Sequence, residues 1–72
     1  MNINLTGKIE RKGLGAGTWA LITDEKIYEL RNMPAEIRHS GLDVNITGKV
    51  RTDIMTIAMI GPVLEVESYM IL

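Results

Sequence analysis

Asn4-Leu5-Thr6-Gly7-Lys8-Ile9 and Asn45-Ile46-Thr47-Gly48-Lys49-Val50 are one phrase written twice. In each copy apolar and polar residues alternate, and the glycine stands where an apolar residue is due. A period of two sets one face of a β-strand against a core and the other in water. A glycine inside such a strand marks a bulge or a sharp bend. The two copies therefore read as long strands that solve the same bending problem, side by side in one curved sheet. A solenoid needs at least three units, so this is not a repeat architecture. Both copies also match the Asn-x-Thr glycosylation pattern. That match carries no weight inside strands and without a secretory signal.

The alternation extends outward from both copies. Ile3, Leu5 and Ile9 alternate with Asn4, Thr6, Lys8 and Glu10. Leu42, Val44, Ile46 and Val50 alternate with Asp43, Asn45, Thr47, Lys49 and Arg51. A turn at Thr52-Asp53 would set Met55 opposite Val50, Ile57 opposite Gly48 and Met59 opposite Ile46. Gly61-Pro62 breaks that pairing, and residues 63–71 form the last strand with Leu64 and Val66 inward.

Gly13-Leu14-Gly15-Ala16-Gly17 invites comparison with a phosphate-cradling loop. A dinucleotide motif needs a helix after the glycines. Here Thr18-Trp19-Ala20-Leu21-Ile22 reads as a strand, so the run is a flexible hairpin loop. With Asp24-Glu25 at the next turn, Leu21 opposes Tyr28 and Trp19 opposes Leu30 on the core face. Ala20, Ile22, Ile27 and Glu29 share the outer face. The helical signals lie in 32–41: Asn32 as a cap, Pro34 in the first turn, Ile37 as apolar anchor and Gly41 as stop.

The expected fold is all-β: a small five- to six-stranded antiparallel barrel with one short helix between strands three and four. That is the arrangement of the oligonucleotide/oligosaccharide-binding (OB) fold. An SH3-like barrel is the runner-up but lacks a helix at that place. The final strand is expected to close the barrel against strand one.

The chain also resembles a family of small OB-like domains of bacteria and archaea, many of uncharacterised function. The resembling residues are Gly17-Thr18-Trp19, Asp24, Tyr28, Leu30-Arg31-Asn32, Pro34-Ala35-Glu36, Gly41-Leu42-Asp43-Val44, Lys49-Val50-Arg51, Asp53, Ile57-Ala58-Met59, Gly61 and Leu64-Glu65-Val66. They cover residues 17–66 and are mostly turn and core positions. The resemblance implies an OB-like barrel and carries no catalytic signature. Members often occur in secreted or lipoprotein contexts, but this chain shows no signal or lipidation segment.

Composition narrows the function. The 72 residues make a single domain, residues 1–72. A chain of this size buries only roughly 60% of its unfolded surface. It has no cysteine, which excludes disulfides and Cys-based zinc sites. Met is frequent and Phe absent, so Ile, Leu, Val and Met build the core. The formal net charge is -1, which gives no global attraction for phosphate backbones. No apolar run approaches the roughly 20 residues that span a bilayer. The expected setting is cytoplasmic, with no membrane partner.

Few residues offer chemistry. His39 is the only histidine, and a zinc site needs three or four converging ligands. Glu65 and Glu67 share a strand face at i, i+2 and read as a solvated edge. No enzyme, cofactor or metal site is expected. Trp19, Tyr28 and Tyr69 are the only aromatics, and the first two belong to the expected core face. Lys8, Lys49 and Arg51, with Arg11 and Lys12, form a candidate nucleic-acid face if strands one and four are adjacent. Glu10, Asp43 and Asp53 dilute it. The last four residues, Tyr69-Met70-Ile71-Leu72, form a candidate interaction patch beside an outward Ile54, Ile60 or Val63, because alternation hides only half of such a run. The expected function is a non-enzymatic module that binds a protein, a small ligand or a second copy of itself. A single-strand nucleic-acid binder is the alternative.

Overall fold

The computed structural model describes residues 2–12, 18–53 and 60–72. Five strands form one sheet: β1 Asn2–Lys12, β2 Thr18–Ile22, β3 Ile27–Arg31, β4 Asp43–Arg51 and β5 Val63–Ile71. Their spatial order is β1-β2-β3-β5-β4, and β4 returns to β1, so the sheet closes in a ring. All pairs are antiparallel except β3 with β5, which is parallel. A wholly antiparallel sheet was the sequence expectation. The parallel pair arises because the chain leaves β3, builds β4 across the ring and only then returns beside β3.

The repeated phrase seals the ring. Leu5 pairs with Ile46, Thr6 with Asn45 and Asn4 with Thr47. Ile46 is fully buried, and Ile3 and Leu5 pack half-buried against the core. β1 serves two neighbours: residues 2–8 follow β4, and residues 8–12 follow β2. Gly7 sits at this handover, where a Cβ would lie against the carbonyl oxygen of Ile22. Gly48 sits where the β4–β5 register shifts, with Glu67 as the extra residue. A Cβ on Gly48 would lie against the carbonyl oxygen of Glu65. The expected irregularity appears as a change of partner strand at Gly7 and a register shift at Gly48.

The final strand does not close against β1. Both edges of β1 are taken by β2 and β4, and β5 lies between β3 and β4. β1 and β4 share a continuous ladder from Asn2 opposite Lys49 to Lys8 opposite Asp43, which leaves β5 the other edge of β4. Accordingly β4 pairs Ile46 with Tyr69, Gly48 with Val66 and Val50 with Leu64. The partners expected from the sequence, Met55, Ile57 and Met59, lie outside the described residues, as does the loop 13–17.

The β2–β3 hairpin has the expected register, with Leu21 opposite Tyr28 and Ile22 opposite Ile27. Leu21, Tyr28 and Leu30 are buried, Trp19 packs half-buried beside them, and Ile22 and Ile27 are half-exposed. The outer face is more enclosed than its polarity suggests, because Ala20 and Glu29 are also buried. The chain entering β5 runs along β3: the Glu29 N–H donates to the Pro62 carbonyl at 2.8 Å, and Gly61 lies against the Ile27 carbonyl. Val63, which the sequence placed outside, pairs with Glu29 and is buried, and Ile60 is half-buried.

The expected helix is a single 3-10 turn, Ala35–Ile37, whose fully buried Ile37 belongs to the core. Pro34, not Asn32, is its N-cap. Asn32 instead takes a left-handed turn at φ 59°, a conformation that asparagine tolerates better than most residues. Gly41 has φ 87°, and its N–H donates to the Ile9 carbonyl, while the Ile9 N–H donates to Leu42. The turn thus hands the chain back to β1 before β4 begins. Among the described residues no helix is long and apolar enough to cross a membrane.

Alanine at Gly7 or Gly48 should cost about 1–3 kcal/mol, because the obstructing atoms are backbone and cannot swing aside. The urea midpoint of each variant measures this. Unchanged midpoints would show that the strands do not approach closely at these positions.

Candidate interaction surface

The outer face of β1, β4 and β5 is polar but uncharged at its centre. The Asn4 Nδ2 donates to Asn45 Oδ1 at 2.7 Å, and the Asn45 Nδ2 donates to Asn4 Oδ1 at 2.9 Å. The second hydrogens reach the Thr47 and Thr6 hydroxyls at 2.9 Å and 3.0 Å. The antiparallel register turns the twin phrases into a reciprocal, nearly two-fold cluster. Each amide is held at both ends, as their spacing alone does not reveal.

Ion pairs flank this cluster. Lys8 faces Asp43 at 3.8 Å, and Lys49 faces Glu67 at 3.8 Å. Arg51 contacts Asp53 at 2.8 Å and Glu65 at 3.1 Å. The Arg51 hydrogen bond and charge hold the Asp53 carboxyl below its usual range, and the Asp53 bond and charge push the guanidinium up. The Arg51–Asp53 bridge is therefore intact above the ordinary carboxyl range and is lost as pH falls through the lowered Asp53 value.

The candidate nucleic-acid residues are not gathered. β1 and β4 are neighbours, as the sequence suggests, but Lys8 and Lys49 stand at opposite ends of their ladder. Six strand residues separate the two positions, about 20 Å. Arg11 and Lys12 continue beyond Lys8 beside Trp19 and Thr18. Tyr28 is buried and Trp19 half-buried, which leaves neither as an open stacking platform. Glu65 and Glu67 each face their own cation, Arg51 and Lys49. His39 is exposed beyond the 3-10 turn. Among the described residues, no group of acids and histidine could hold a metal ion.

The C-terminal residues behave differently. Met70, Ile71 and Leu72 are exposed at 64%, 49% and 65%, and they are the exposed large apolar residues of the described chain. They follow one another because β5 outruns its neighbour. β3 pairs only as far as Arg31 opposite Glu65, while β5 continues to Ile71. Unequal strand lengths in the sequence were the available signal for this overhang.

Hydrogen-bond phase fixes which groups the overhang presents. The Leu72 N–H donates to the Asp43 carbonyl of β4 at 3.0 Å. Backbone groups alternate sides along a strand. Met70 and Ser68 therefore point their N–H and C=O groups toward β4, and Tyr69 and Ile71 point theirs away from it.

Tyr69 remains tied to the core. It packs half-buried, and its hydroxyl donates to Glu36 Oε2 at 3.3 Å. Beside Leu72 an open groove of about 490 Å3 is lined by Thr6, Lys8, Ile22, Asp24 and Asp43. A smaller groove of about 200 Å3, reaching Leu5 and Tyr28, shares its Thr6, Thr23 and Asp24 wall.

No family model, curated protein or solved structure matches the chain. The surface must be read from its own geometry.

Desolvation, then the Glu36 charge and hydrogen bond, raise the Tyr69 phenol above its ordinary 10.0. The neutral phenol is the form that the fold favours. Its contribution to stability is present below the ordinary value and is lost as pH rises through the raised one. In Glu36→Gln the phenol should titrate lower but still above the ordinary value, because desolvation is the larger cause. Ultraviolet or NMR titration of Tyr69 measures this. An unchanged titration would show that Glu36 does not reach the hydroxyl in solution.

Proposed function

We propose that the chain is a barrel of the OB type that serves as a non-enzymatic interaction module, with the C-terminal end of β5 as its contact surface. The ring order, the first strand shared between two neighbours and the single turn between β3 and β4 all support the barrel assignment. Fold alone supplies no function, so the functional reading rests on the surface.

The observation that carries it is the consecutive exposure of Met70, Ile71 and Leu72. β5 is ordered into a ladder up to Ile71 and still presents these apolar side chains to water. Exposed apolar clusters often mark sites of interaction. Single-strand nucleic-acid binding is less favoured. Lys8, Lys49 and Arg51 each face a carboxylate, and a phosphate groove needs cations available along one track.

Cross-linked co-purification from the protein's own cells tests this reading. The wild-type chain should retain a bound species that Met70→Lys loses, while both chains unfold at the same urea concentration. Equal retention by both would remove the β5 end as the contact surface. Oligonucleotide titration at physiological salt should leave the amides of Lys8, Lys49 and Arg51 unshifted. Micromolar binding abolished by Lys49→Glu would establish the nucleic-acid reading instead.

A further inference from the structure

We infer that the partner seated on the overhang of β5 is a second copy of this chain, paired edge to edge through residues 68–72. This rests on the reading of the β5 end as the contact surface and names its occupant.

The backbone phase dictates the register. Tyr69 and Ile71 direct their N–H and C=O groups away from β4, so these are the residues that bond to an added strand. In an antiparallel pair, doubly bonded residues face each other. Tyr69 then opposes Ile71 of the second copy, Ile71 opposes Tyr69, and the two-fold axis passes between the Met70 residues. Ser68 opposes Leu72. Every side chain in this match is neutral.

The alternative register, with Tyr69 opposite Tyr69, sets Glu67 opposite Ile71 and draws the bulged residue into the ladder. The charge and the bulge both oppose it. Glu67 thus bounds the usable edge on one side.

Side-chain placement agrees. Met70 lies across from Asn45 on the outer face, and Leu72 follows it at i+2. The two-fold would gather Met70 and Leu72 from both copies into one apolar cluster. The Met70 pair is the type without hydrogen bonds, whose Cα atoms approach to about 4.5 Å. On the opposite face Ile71 meets Tyr69 of the second copy.

Exposed sheet edges usually carry lysine or proline as a guard. Residues 66–72 contain neither. Each copy offers one such overhang, so two-fold pairing consumes both and forms a closed dimer rather than a fibre.

The intact chain tests this by sedimentation equilibrium and hydrogen exchange. The weight-average mass should rise toward twice that of the monomer with concentration. Over the same range the Tyr69 and Ile71 amides should gain at least tenfold protection. The Met70 and Leu72 amides, already bonded to β4, should change little.

Met70→Lys and Met70→Glu, each alone, should stay monomeric, because each puts like charges together at the axis. An equimolar mixture of the two should dimerise again. Ile71→Pro, which removes an outward N–H and none from the β4 ladder, should also be monomeric and folded. The proposal is overturned by a wild-type chain that remains monomeric at millimolar concentration. A dimer indifferent to Met70 and Ile71 also overturns it, as does a mixture of charge variants that stays monomeric. A monomeric chain whose Met70→Lys variant still loses a co-purified species would overturn self-pairing and leave the interaction module standing.

Discussion

Backbone contact at two glycines sets the size of the ring. β1 is divided between β4 and β2, and β4 carries a register shift against β5. At Gly7 and Gly48 neighbouring strands come so close that an added Cβ would meet the carbonyl oxygen of Ile22 in one case and Glu65 in the other. The pairing of Leu5 with Ile46 and the fully buried Ile9, Leu21, Ile37 and Leu64 are all downstream of that approach. A side chain at either position would push the strands apart and open the core that those residues fill.

The residues that carry local signals were legible from the sequence. The twin phrases predicted bent neighbouring strands, and Asp24-Glu25 gave the β2–β3 register to the residue. Ile37 announced itself as the anchor of the short turn. What stayed hidden was non-local. The position of β5 between β3 and β4 depends on which edge remains vacant after β1 and β4 have joined. No residue within 63–71 encodes that competition.

The same reasoning explains the burial that polarity failed to predict. Ala20, Glu29 and Val63 are buried on the face that polarity placed outside, where Ala20 pairs with Glu29 and Glu29 with Val63 across three adjacent strands. The contact surface was half legible. The apolar run at 69–72 stood out by composition, whereas the overhang follows from β3 pairing no further than Arg31 among the described residues. The basic residues were correctly placed on adjacent strands, but the distance between Lys8 and Lys49 emerged only with the register.

The Asn4–Asn45 pair has a consequence of another kind. The seam that joins the first strand of the ring to the fourth is fastened at its midpoint by amides and hydroxyls. None of these groups titrates in the ordinary range, and none is screened as an ion pair would be. Of the charged contacts, Lys8 with Asp43 crosses the seam at one end, whereas Lys49 with Glu67 ties β4 to β5. Acid or concentrated salt therefore weakens the seam at its Lys8 end and leaves its middle fastened. The closure of the ring is set by shape and amide geometry, and the ionic conditions of its surroundings act only on the margins.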